Sequence, residues 1–402
     1  MQKITILGLG YIGLPTAITL ADVGFAVTGF DTNKEVVNIL NTGKIHIVEP
    51  GLADALRRAV SGGNLNFSYS LNESDVFYIA VPTPFFTDKG RISADLSYVK
   101  SAGEMVAKVI REGNLVILES TVPPRTTEQL AEIIAKESGL SEDKFLVAHC
   151  PERVIPGQML RELKNNDRIV GGRSPEAGEM AKAIYEKVLE KGKVHLTNDL
   201  TAEMCKLTEN TFRDINIAYA NELSIICDEL GIDVFELISL ANCHPRVNIL
   251  NPGVGVGGHC IAVDPWFIYE QFPEEAKLIY AARLRNDSKP RYVADRVEDA
   301  VSGKKKPVIG VLGLSYKPDV DDLRESPSIE LCHELQKRGF EVLACEPFVQ
   351  GDISSVKNRT LSEVVSSSDF IVITLAHTLF KENKALIATK PYYDCVGLMR
   401  KG

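Results

Sequence analysis

The stretch Ile4-Thr5-Ile6-Leu7-Gly8-Leu9-Gly10-Tyr11-Ile12-Gly13 decides the fold of this chain. Its apolar start predicts a short buried strand, and the residues that follow have a helical pattern. The three glycines between strand and helix permit a tight turn and a close approach of the backbone to a pyrophosphate. The next strand, residues 25–30, ends at Asp31, a carboxylate suited to an adenosine ribose. This combination predicts a dinucleotide-binding βαβ unit, and the acid favours NAD over NADP.

Further apolar runs alternate with helical patterns, which is typical of a parallel sheet covered on both faces. Ligands of such sheets bind at the carboxyl ends of the strands. The polar residues that follow the runs 76–81, 115–118 and 145–148 are Thr83, Thr121 and Glu152. We therefore expect these three residues to lie at the ligand-binding edge.

The pattern changes after Asn198, where residues 201–230 are helical and nearly unbroken. A second α/β pattern begins near Pro307, with residues 308–312 as its first strand. The expected fold class is α/β, with two Rossmann-like doubly wound domains joined by a helical middle domain with a long central helix. The expected boundaries are 1–198 for the N-terminal domain, 199–303 for the helical domain and 304–402 for the C-terminal domain.

Composition excludes several classes of function. The 402 residues carry 45 Lys and Arg against 54 Asp and Glu, a net charge of −9, and the acidic balance argues against nucleic-acid binding. No apolar run is long enough to span a membrane, and the N-terminus lacks the regions of a signal peptide. The eight cysteines form no CxxC pair, and the seven histidines have no metal-ligand spacing. We expect free thiols, no metal and a cytoplasmic location.

A second glycine-rich run, Asn251-Pro252-Gly253-Val254-Gly255-Val256-Gly257-Gly258-His259-Cys260, ends on a single cysteine. Alone, this run is equally compatible with a loop that holds a cysteine against a ligand and with a surface loop that carries a buried structural cysteine. On the long helix, Lys206, Asn210 and Arg213 share one face, because they are spaced i, i+4 and i+7. Alone, these three residues fit a solvated helix face at least as well as a site.

Taken together, these residue types fit the oxidation of an alcohol to an acid. The intermediate aldehyde loses a hydride readily only after a nucleophile has added to it, and a thiolate does this as a thiohemiacetal. A second hydride loss gives a thioester, which an activated water hydrolyses. Cys260 would be the nucleophile, Lys206 or Asp264 would manage charge and protons, and Glu152 would activate the water.

Seven motifs in order resemble the nucleotide-sugar 6-dehydrogenase family, the UDP-glucose/GDP-mannose dehydrogenase superfamily, over essentially the whole chain. They are residues 8–15 (GLGYIGLP), 81–84 (VPTP), 119–121 (EST), 150–153 (CPER), 206–210 (KLTEN), the run into Cys260, and 313–318 (GLSYKP) through 321–327 (DDLRESP).

Within the family, three segments resemble the branch that oxidises UDP-N-acetyl-D-mannosamine: residues 45–50 (IHIVEP), 242–250 (NCHPRVNIL) and 257–266 (GGHCIAVDPW). His259 and Ile261 stand where UDP-glucose dehydrogenases usually have Ser and Phe. The resemblance implies a four-electron oxidation at C6, with two NAD, to UDP-N-acetyl-D-mannosaminuronate. Alternatives are the same chemistry on UDP-N-acetyl-glucosamine or UDP-glucose, a two-electron hydroxyacid dehydrogenase of the phosphogluconate type, and a non-catalytic NAD and UDP-sugar sensor.

The resemblance also implies a role for individual residues. The catalytic set is Cys260, Lys206, Glu152, Asp264 and Asn210. The NAD set is Gly8, Gly10, Tyr11, Ile12, Gly13, Asp31, Thr83, Thr121 and Arg324. The UDP-sugar set is Arg153, Val154, Lys206, Asn210, Arg213, His244, Arg246, Gly257, Tyr316 and Lys317. The family is expected to form a homodimer, with His244 and Arg246 completing the site of the partner subunit.

Two features depart from the family pattern. Arg125 stands where the segment after Ser120 and Thr121 usually has a glycine, which puts the shape of that loop in question. The chain also ends soon after Cys395, so a substrate contact from a longer C-terminus is not expected.

Overall fold

A computed structural model of the protein describes residues 2–88, 91–155 and 157–400. They form two compact units, Met1–Thr208 and Glu209–Gly402. The division falls within one continuous helix, α8, which spans Asp199–Leu230. The sequence predicts the start of this helix two residues later, at Thr201.

In its described part, the first unit contains an eight-stranded sheet in the order β10-β9-β8-β7-β4-β1-β2-β3. Neighbouring strands are parallel except β8 and β9. A separate antiparallel pair is formed by β5 and β6. The strands are β1 Lys3–Leu7, β2 Ala26–Phe30, β3 Leu65–Ser68, β4 Val76–Ile79, β5 Phe85–Asp88, β6 Arg91–Ala94, β7 Leu115–Leu118, β8 Leu146–His149, β9 Arg168–Gly172 and β10 Val194–Asn198. The helices before α8 are α1 Gly13–Asp22, α2 Lys34–Asn41, α3 Leu52–Ser61, α4 Ser97–Ala107, α5 Thr126–Ser138, α6 Met159–Asn165 and α7 Pro175–Val188.

The central strands of this sheet are apolar on both faces. In β4, Val76 and Tyr78 pack into one buried cluster, and Phe77 and Ile79 pack into a second cluster on the opposite face. Successive side chains of a strand point to opposite faces, so a continuous apolar run is what a sheet covered by helices on both sides requires. Full burial of each large apolar side chain stabilises the fold by about 1.5–3 kcal/mol.

The second unit contains a five-stranded parallel sheet among its described residues, in the order β13-β12-β11-β14-β15. Two apolar clusters again cover its faces, with Ile309 and Val311 in one and Leu312 in the other. Its strands are β11 Val308–Leu312, β12 Glu341–Cys345, β13 Lys357–Asn358, β14 Phe370–Ile373 and β15 Tyr392–Asp394. Its further helices are α9 Val234–Ala241, α10 Asp264–Gln271, α11 Lys277–Val301, α12 Pro327–Lys337, α13 Leu361–Ser367, α14 Thr378–Glu382 and α15 Lys384–Ile387.

The expected fold class is confirmed, since parallel Rossmann-like sheets lie at both ends of the chain and helices lie between them. All eight cysteines are free thiols. Within the described ranges, no helix is both long and apolar enough to cross a membrane, and no cluster of three or more His, Cys, Asp or Glu side chains could hold a metal ion.

Candidate active site

The glycine turn after β1 is tightly packed at Gly8 and Gly13 but open at Gly10. Gly8 has φ of 93°, and a Cβ there would lie 2.7 Å from the Ala80 carbonyl oxygen. A Cβ at Gly13 would lie 1.9 Å from the Gly8 carbonyl oxygen, so this glycine lets α1 pack on the turn. By contrast, a Cβ at Gly10 would meet no atom within 4 Å. The backbone is therefore open at the position where a pyrophosphate would approach.

Asp31 holds the same turn in place. Its Oδ2 accepts a hydrogen bond from the Leu9 N–H at 2.9 Å, and its Oδ1 accepts one from the Asn33 N–H at 2.8 Å. Each carboxylate oxygen has a further lone pair for a ribose hydroxyl. The acid at the tip of β2 thus both shapes the glycine turn and remains able to accept from a ligand.

Three further predicted site residues of the first unit lie at the same edge of the sheet. Thr83, Thr121 and Glu152 follow β4, β7 and β8, which run parallel to β1. Thr83 Oγ1 is buried and makes no hydrogen bond within the described ranges. Tyr11 is 46% exposed beside the turn, and Ile12 precedes the first residue of α1. An open glycine turn, a helix N-terminus and an unpaired hydroxyl fit a bound NAD.

The loop that carries Thr121 is held by a residue that sequence reasoning missed. The buried Glu203, on α8, accepts hydrogen bonds from the backbone N–H of Arg125 at 2.6 Å and of Thr127 at 2.7 Å. It therefore supplies the N-terminal cap of α5 from a distant part of the chain. Arg125 has φ of 70°, a left-handed conformation that favours glycine. This backbone explains why the family pattern has Gly at this position, and Arg125 adopts it at some cost in strain.

Glu152 is buried and paired. Its carboxylate contacts the guanidinium of Arg168, and its Oε1 accepts a hydrogen bond from the Arg153 N–H at 2.6 Å. The side chain of Arg153 donates to the Asp167 carbonyl, and Val154 is half-buried in the same segment. The sequence indicates Glu152 through its place after β8, but gives no signal for its partner on β9.

In the second unit, Asn210, Asp264 and Cys260 form a connected chain. Asn210 Nδ2 donates to Asp264 Oδ2 at 2.6 Å, and both side chains are buried. The Asp264 N–H donates to the Cys260 carbonyl at 2.9 Å, while the Cys260 side chain is exposed. Lys206 lies one turn before Asn210 on α8, and Arg213 is exposed about one turn after it. The loop that presents the thiol is therefore tied to the helix through Asp264.

The glycines before Cys260 let Tyr316 approach the loop. A Cβ at Gly258, where φ is 84°, would lie 2.9 Å from the Tyr316 ring, and one at Gly257 would lie 2.5 Å from the Glu325 carbonyl oxygen. The Gly258 N–H donates to the Arg324 carbonyl at 3.1 Å. Burial, followed by the charges of Asp322 and Cys260, raises the pKa of Tyr316. Tyr316 and the Cys260 thiol therefore belong to one local site.

The loop 313–318 is itself clamped. Buried Glu346, after β12, accepts hydrogen bonds from the Leu314 N–H at 2.8 Å and from the Ser315 hydroxyl at 2.7 Å. His377 packs beside it, with Nε2 3.2 Å from the Glu346 carboxylate and Nδ1 accepting from the Asp319 N–H. Sequence reasoning missed both clamps. Glu346 follows the second strand of its sheet, just as Asp31 follows the second strand of the first unit. This shared position was a possible signal for Glu346.

Two cations extend from this loop region. The Lys317 ammonium lies 5.7 Å from the centroid of the Tyr316 ring. The Arg324 guanidinium makes a bidentate contact with Asp322, with Nε to Oδ1 at 2.9 Å and Nη2 to Oδ2 at 2.6 Å. Arg324 outweighs the opposing effect of burial and lowers the pKa of Asp322. The side chain that the sequence predicts as an NAD contact is thus oriented by an acid two residues before it.

A buried polar network fixes the first half of the cysteine loop. The Gly253 N–H donates to Asn221 Oδ1 at 2.9 Å, and Asn221 Nδ2 donates to Asn286 Oδ1 at 2.9 Å. Asn286 Nδ2 in turn donates to Asp214 Oδ1 at 2.8 Å, and Arg283 Nη1 also donates to that oxygen at 2.5 Å. The network joins α8, α11 and the loop. No local sequence pattern identifies it, because its members are far apart in the chain.

His244 and Arg246 lie in an exposed loop after α9. Asn242 pins this loop, since its Nδ2 donates to the Ile249 carbonyl at 2.9 Å and its Oδ1 accepts from the Ile249 N–H at 2.8 Å. The side chains of His244 and Arg246 are both exposed. A short, pinned loop therefore presents the His244 imidazole and the Arg246 guanidinium at the surface.

Three features of the first unit are characteristic when they occur together: the sheet order, the open glycine turn and the acid at the tip of β2. They place the first unit in the class of NAD-binding folds found in dehydrogenases. The second unit adds an exposed cysteine at the end of a pinned glycine loop.

Comparison with known proteins then specifies the family. The chain belongs to the UDP-glucose/GDP-mannose dehydrogenase family: its NAD binding domain matches residues 2–189, its central domain residues 200–288 and its UDP binding domain residues 310–401. The protein is accordingly an NAD-dependent enzyme of this family, as the sequence motifs predict.

Three relatives illustrate the similarity. An NDP-N-acetyl-D-galactosaminuronic acid dehydrogenase of Ralstonia nicotianae (strain ATCC BAA-1114 / GMI1000) is 50% identical over 95% of this chain and 92% of its own. A UDP-N-acetyl-D-mannosamine dehydrogenase of Campylobacter jejuni is 48% identical over 95% of this chain and 97% of its own. The solved structure of the Pyrococcus horikoshii UDP-D-ManNAc dehydrogenase has a TM-score of 0.92 and 41% identity, over 100% of this chain and 96% of that one.

Proposed function

We propose that this protein oxidises the C6 hydroxyl of UDP-N-acetyl-D-mannosamine to UDP-N-acetyl-D-mannosaminuronate, with two NAD and one water per sugar. The observation that carries the proposal is the exposed Cys260 thiol on a loop that Asp264 ties to Asn210. The names of the relatives from Campylobacter jejuni and Pyrococcus horikoshii support the choice of sugar.

The roles follow from the chemistry of the groups. The sugar alcohol loses a proton to Lys206 and also loses a hydride to give the aldehyde, and the Cys260 thiolate adds to the carbonyl carbon of that aldehyde. The thiohemiacetal loses a second hydride to give a thioester, and water hydrolyses that thioester with Glu152 as the base. Lys206 and Asn210 stabilise the oxyanion, and Asp264 positions Asn210 and the cysteine loop. NAD, when bound, accepts the hydride of each oxidation.

The binding residues divide between the two ligands. Gly8, Gly10, Gly13 and Asp31 would hold the NAD pyrophosphate and ribose. The remaining NAD contacts are assigned to Tyr11, Ile12, Thr83, Thr121 and Arg324. The UDP diphosphate needs cationic donors, which suits Arg residues with their planar fork. The sugar-nucleotide contacts are assigned to Arg153, Val154, Arg213, Gly257, Tyr316 and Lys317.

A second substrate has a specific observation in its favour. The Ralstonia nicotianae relative, at 50% identity, is named for an N-acetyl-galactosaminuronic acid. The same chemistry on another UDP-amino sugar is therefore the alternative. A panel of UDP-N-acetyl-D-mannosamine, UDP-N-acetyl-galactosamine, UDP-N-acetyl-glucosamine and UDP-glucose with NAD tests both. We expect the highest kcat/KM with the mannosamine compound; a preference of tenfold or more for another sugar would replace it, and no NADH from any sugar would reject the proposal.

We also propose a homodimer. Phe212, Tyr219 and Ile226 recur every seven residues on α8 and are 64%, 52% and 47% exposed, which forms an apolar stripe on one helix face. His244 and Arg246 would then complete the partner's substrate site. Light scattering of Tyr219→Asp should give half the mass of the wild-type species, and Glu229→Asp on the same helix is the control.

The division into domains 1–198, 199–303 and 304–402 also remains a proposal, as does a cytoplasmic location. The free state of all eight thiols supports the location, because a reducing compartment preserves free cysteines. Limited proteolysis tests the division: cleavage is expected near residues 199 and 303 before any other position.

A further inference from the structure

The pair formed by Glu152 and Arg168 lies in the interior of the first unit. Both side chains are almost fully buried, at 7% and 4% exposure. The Arg168 guanidinium contacts the Glu152 carboxylate and stacks 4.9 Å from the centroid of the Tyr185 ring. Glu152 Oε1 is held on its other side by the Arg153 N–H at 2.6 Å. The carboxylate is thus fixed by a cation on one side and a backbone donor on the other.

A buried carboxyl without such a cation would take up a proton, because burial disfavours its charged form. A protonated carboxyl cannot accept a proton from water. Arg168 supplies the compensating charge: burial alone would lower its pKa, but the charge and hydrogen bond of Glu152, together with the charges of Tyr185 and Glu119, raise it. Arg168 therefore provides a positive charge next to the buried Glu152 carboxylate.

A second buried carboxyl, that of Glu119, lies near the pair formed by Glu152 and Arg168. Glu119, at the end of β7, accepts a hydrogen bond from the Thr16 hydroxyl at 3.1 Å. Burial first, and then the charge of Glu152, raises the pKa of Glu119 to about 8. The remaining titratable groups around the pair are Tyr78, Cys150 and Tyr185, whose burial raises the pKa of each. The Arg168 cation acts on both carboxyls, and its contact is with Glu152.

We propose that Arg168 is a positioning residue for the hydrolytic step: it holds the Glu152 carboxylate in place so that Glu152 accepts a proton from the attacking water. In this step the water oxygen bonds to the thioester carbon and its proton passes to Glu152. The carbon–sulfur bond then breaks, which releases the sugar acid and the Cys260 thiolate. The step involves no oxidation or reduction. The inference rests on the proposed function, since it assigns a partner to the base of that reaction.

Rapid-mixing measurement of NADH, with and without Arg168→Gln, tests the proposal. Both oxidations precede hydrolysis, so we expect the variant to keep a burst of two NADH per site. Its steady-state rate should fall about 100-fold, the scale of a lost general base. Arg173→Gln is the matched control, because Arg173 pairs with Glu142 and Asp199 instead and should change the rate less than about twofold. A steady-state rate within about twofold of wild type in Arg168→Gln would overturn the proposal.

The double variant distinguishes positioning from a structural role. Glu152→Gln combined with Arg168→Gln removes both charges at once, so neither is left buried and unpaired. If Arg168 acts through Glu152, the double variant should hydrolyse the thioester within about twofold of Glu152→Gln alone. A further tenfold loss would contradict the proposal, even if Arg168→Gln alone fails to fold. A wild-type chain that forms no NADH from any UDP-sugar would instead reject the proposed function.

Discussion

Asn210 on α8 donates a hydrogen bond from Nδ2 to Oδ2 of Asp264, at 2.6 Å, in a buried environment. Asp264 in turn donates its backbone N–H to the carbonyl of Cys260. This bond links a residue of the long helix to the loop that presents the thiol. Its removal should therefore affect both the stability of the protein and the presentation of the thiol.

Asn210→Ala should lower the free energy of unfolding by about 1–3 kcal/mol, because a buried carboxylate loses a donor. It should also lower kcat, since the cysteine end of the loop loses one of its ties to α8. Urea unfolding and NADH formation measure the two effects. Asn72→Ala, at an exposed site, is the control and should stay within about 0.5 kcal/mol of wild type. An Asn210→Ala protein with unchanged stability and rate would show that the bond has no role.

Asp31→Ala should raise the KM for NAD by about tenfold or more. The substitution removes the acceptor of the Leu9 and Asn33 N–H groups, and a charge-assisted hydrogen bond contributes about 1.5–3 kcal/mol. The relative rate with NADP should rise, since the negative charge that disfavours a 2′-phosphate is lost. Asp22→Asn, at the exposed end of α1, is the control. An unchanged KM for NAD would exclude Asp31 from the cofactor site.

Arg125→Gly should be tolerated, whereas Arg125→Val should destabilise the protein. The left-handed conformation at φ of 70° costs an L-residue about 1–2 kcal/mol, and glycine avoids this cost. Glycine also gives the unfolded chain more conformational freedom, which offsets about 0.5–1 kcal/mol of the stability gained. We expect Arg125→Gly to be equal to wild type or up to about 1 kcal/mol more stable, and the β-branched variant to be less stable than either. Arg125→Ala controls for loss of the side chain. The reverse order of stabilities would contradict the backbone assignment.

Glu119→Gln should change how stability depends on pH. Burial, with a contribution from Glu152, raises the pKa of Glu119 from 4.5 to about 8 in the folded protein. A raised folded-state pKa means that its contribution to stability is complete below pH 4.5 and is lost as pH rises towards 8. The variant lacks this loss, so its stability relative to wild type should increase across that window. Urea unfolding at pH 5 and pH 8.5 compares the two proteins, and equal differences at both values would contradict the raised pKa.

Local sequence patterns predicted the parts of this molecule that are themselves local. The glycine turn at Gly8, the strand β1 and the long helix α8 depend on spacing within a few residues, and all three are present. Cys260 was a candidate from the sequence because Gly257 and Gly258, which allow Tyr316 to approach the loop, lie just before it in the chain.

The missed residues act across long sequence separations. Glu203 caps a helix that begins at Thr126, and Asn221 reaches Asn286. A glutamate on an amphipathic helix has the same local pattern whether it is solvated or capping another helix. Only the folded arrangement distinguishes these cases, so these supporting contacts could not be predicted from spacing.

The central claim is the covalent role of Cys260, and NADH yield per sugar in wild type and Cys260→Ala tests it most directly. The account predicts two NADH and one uronate per UDP-sugar for the wild type, and no uronate from the variant. Cys395→Ala, at a buried thiol of the second unit, is the control and should retain the full yield. Two NADH per sugar from Cys260→Ala at the wild-type rate would contradict the account.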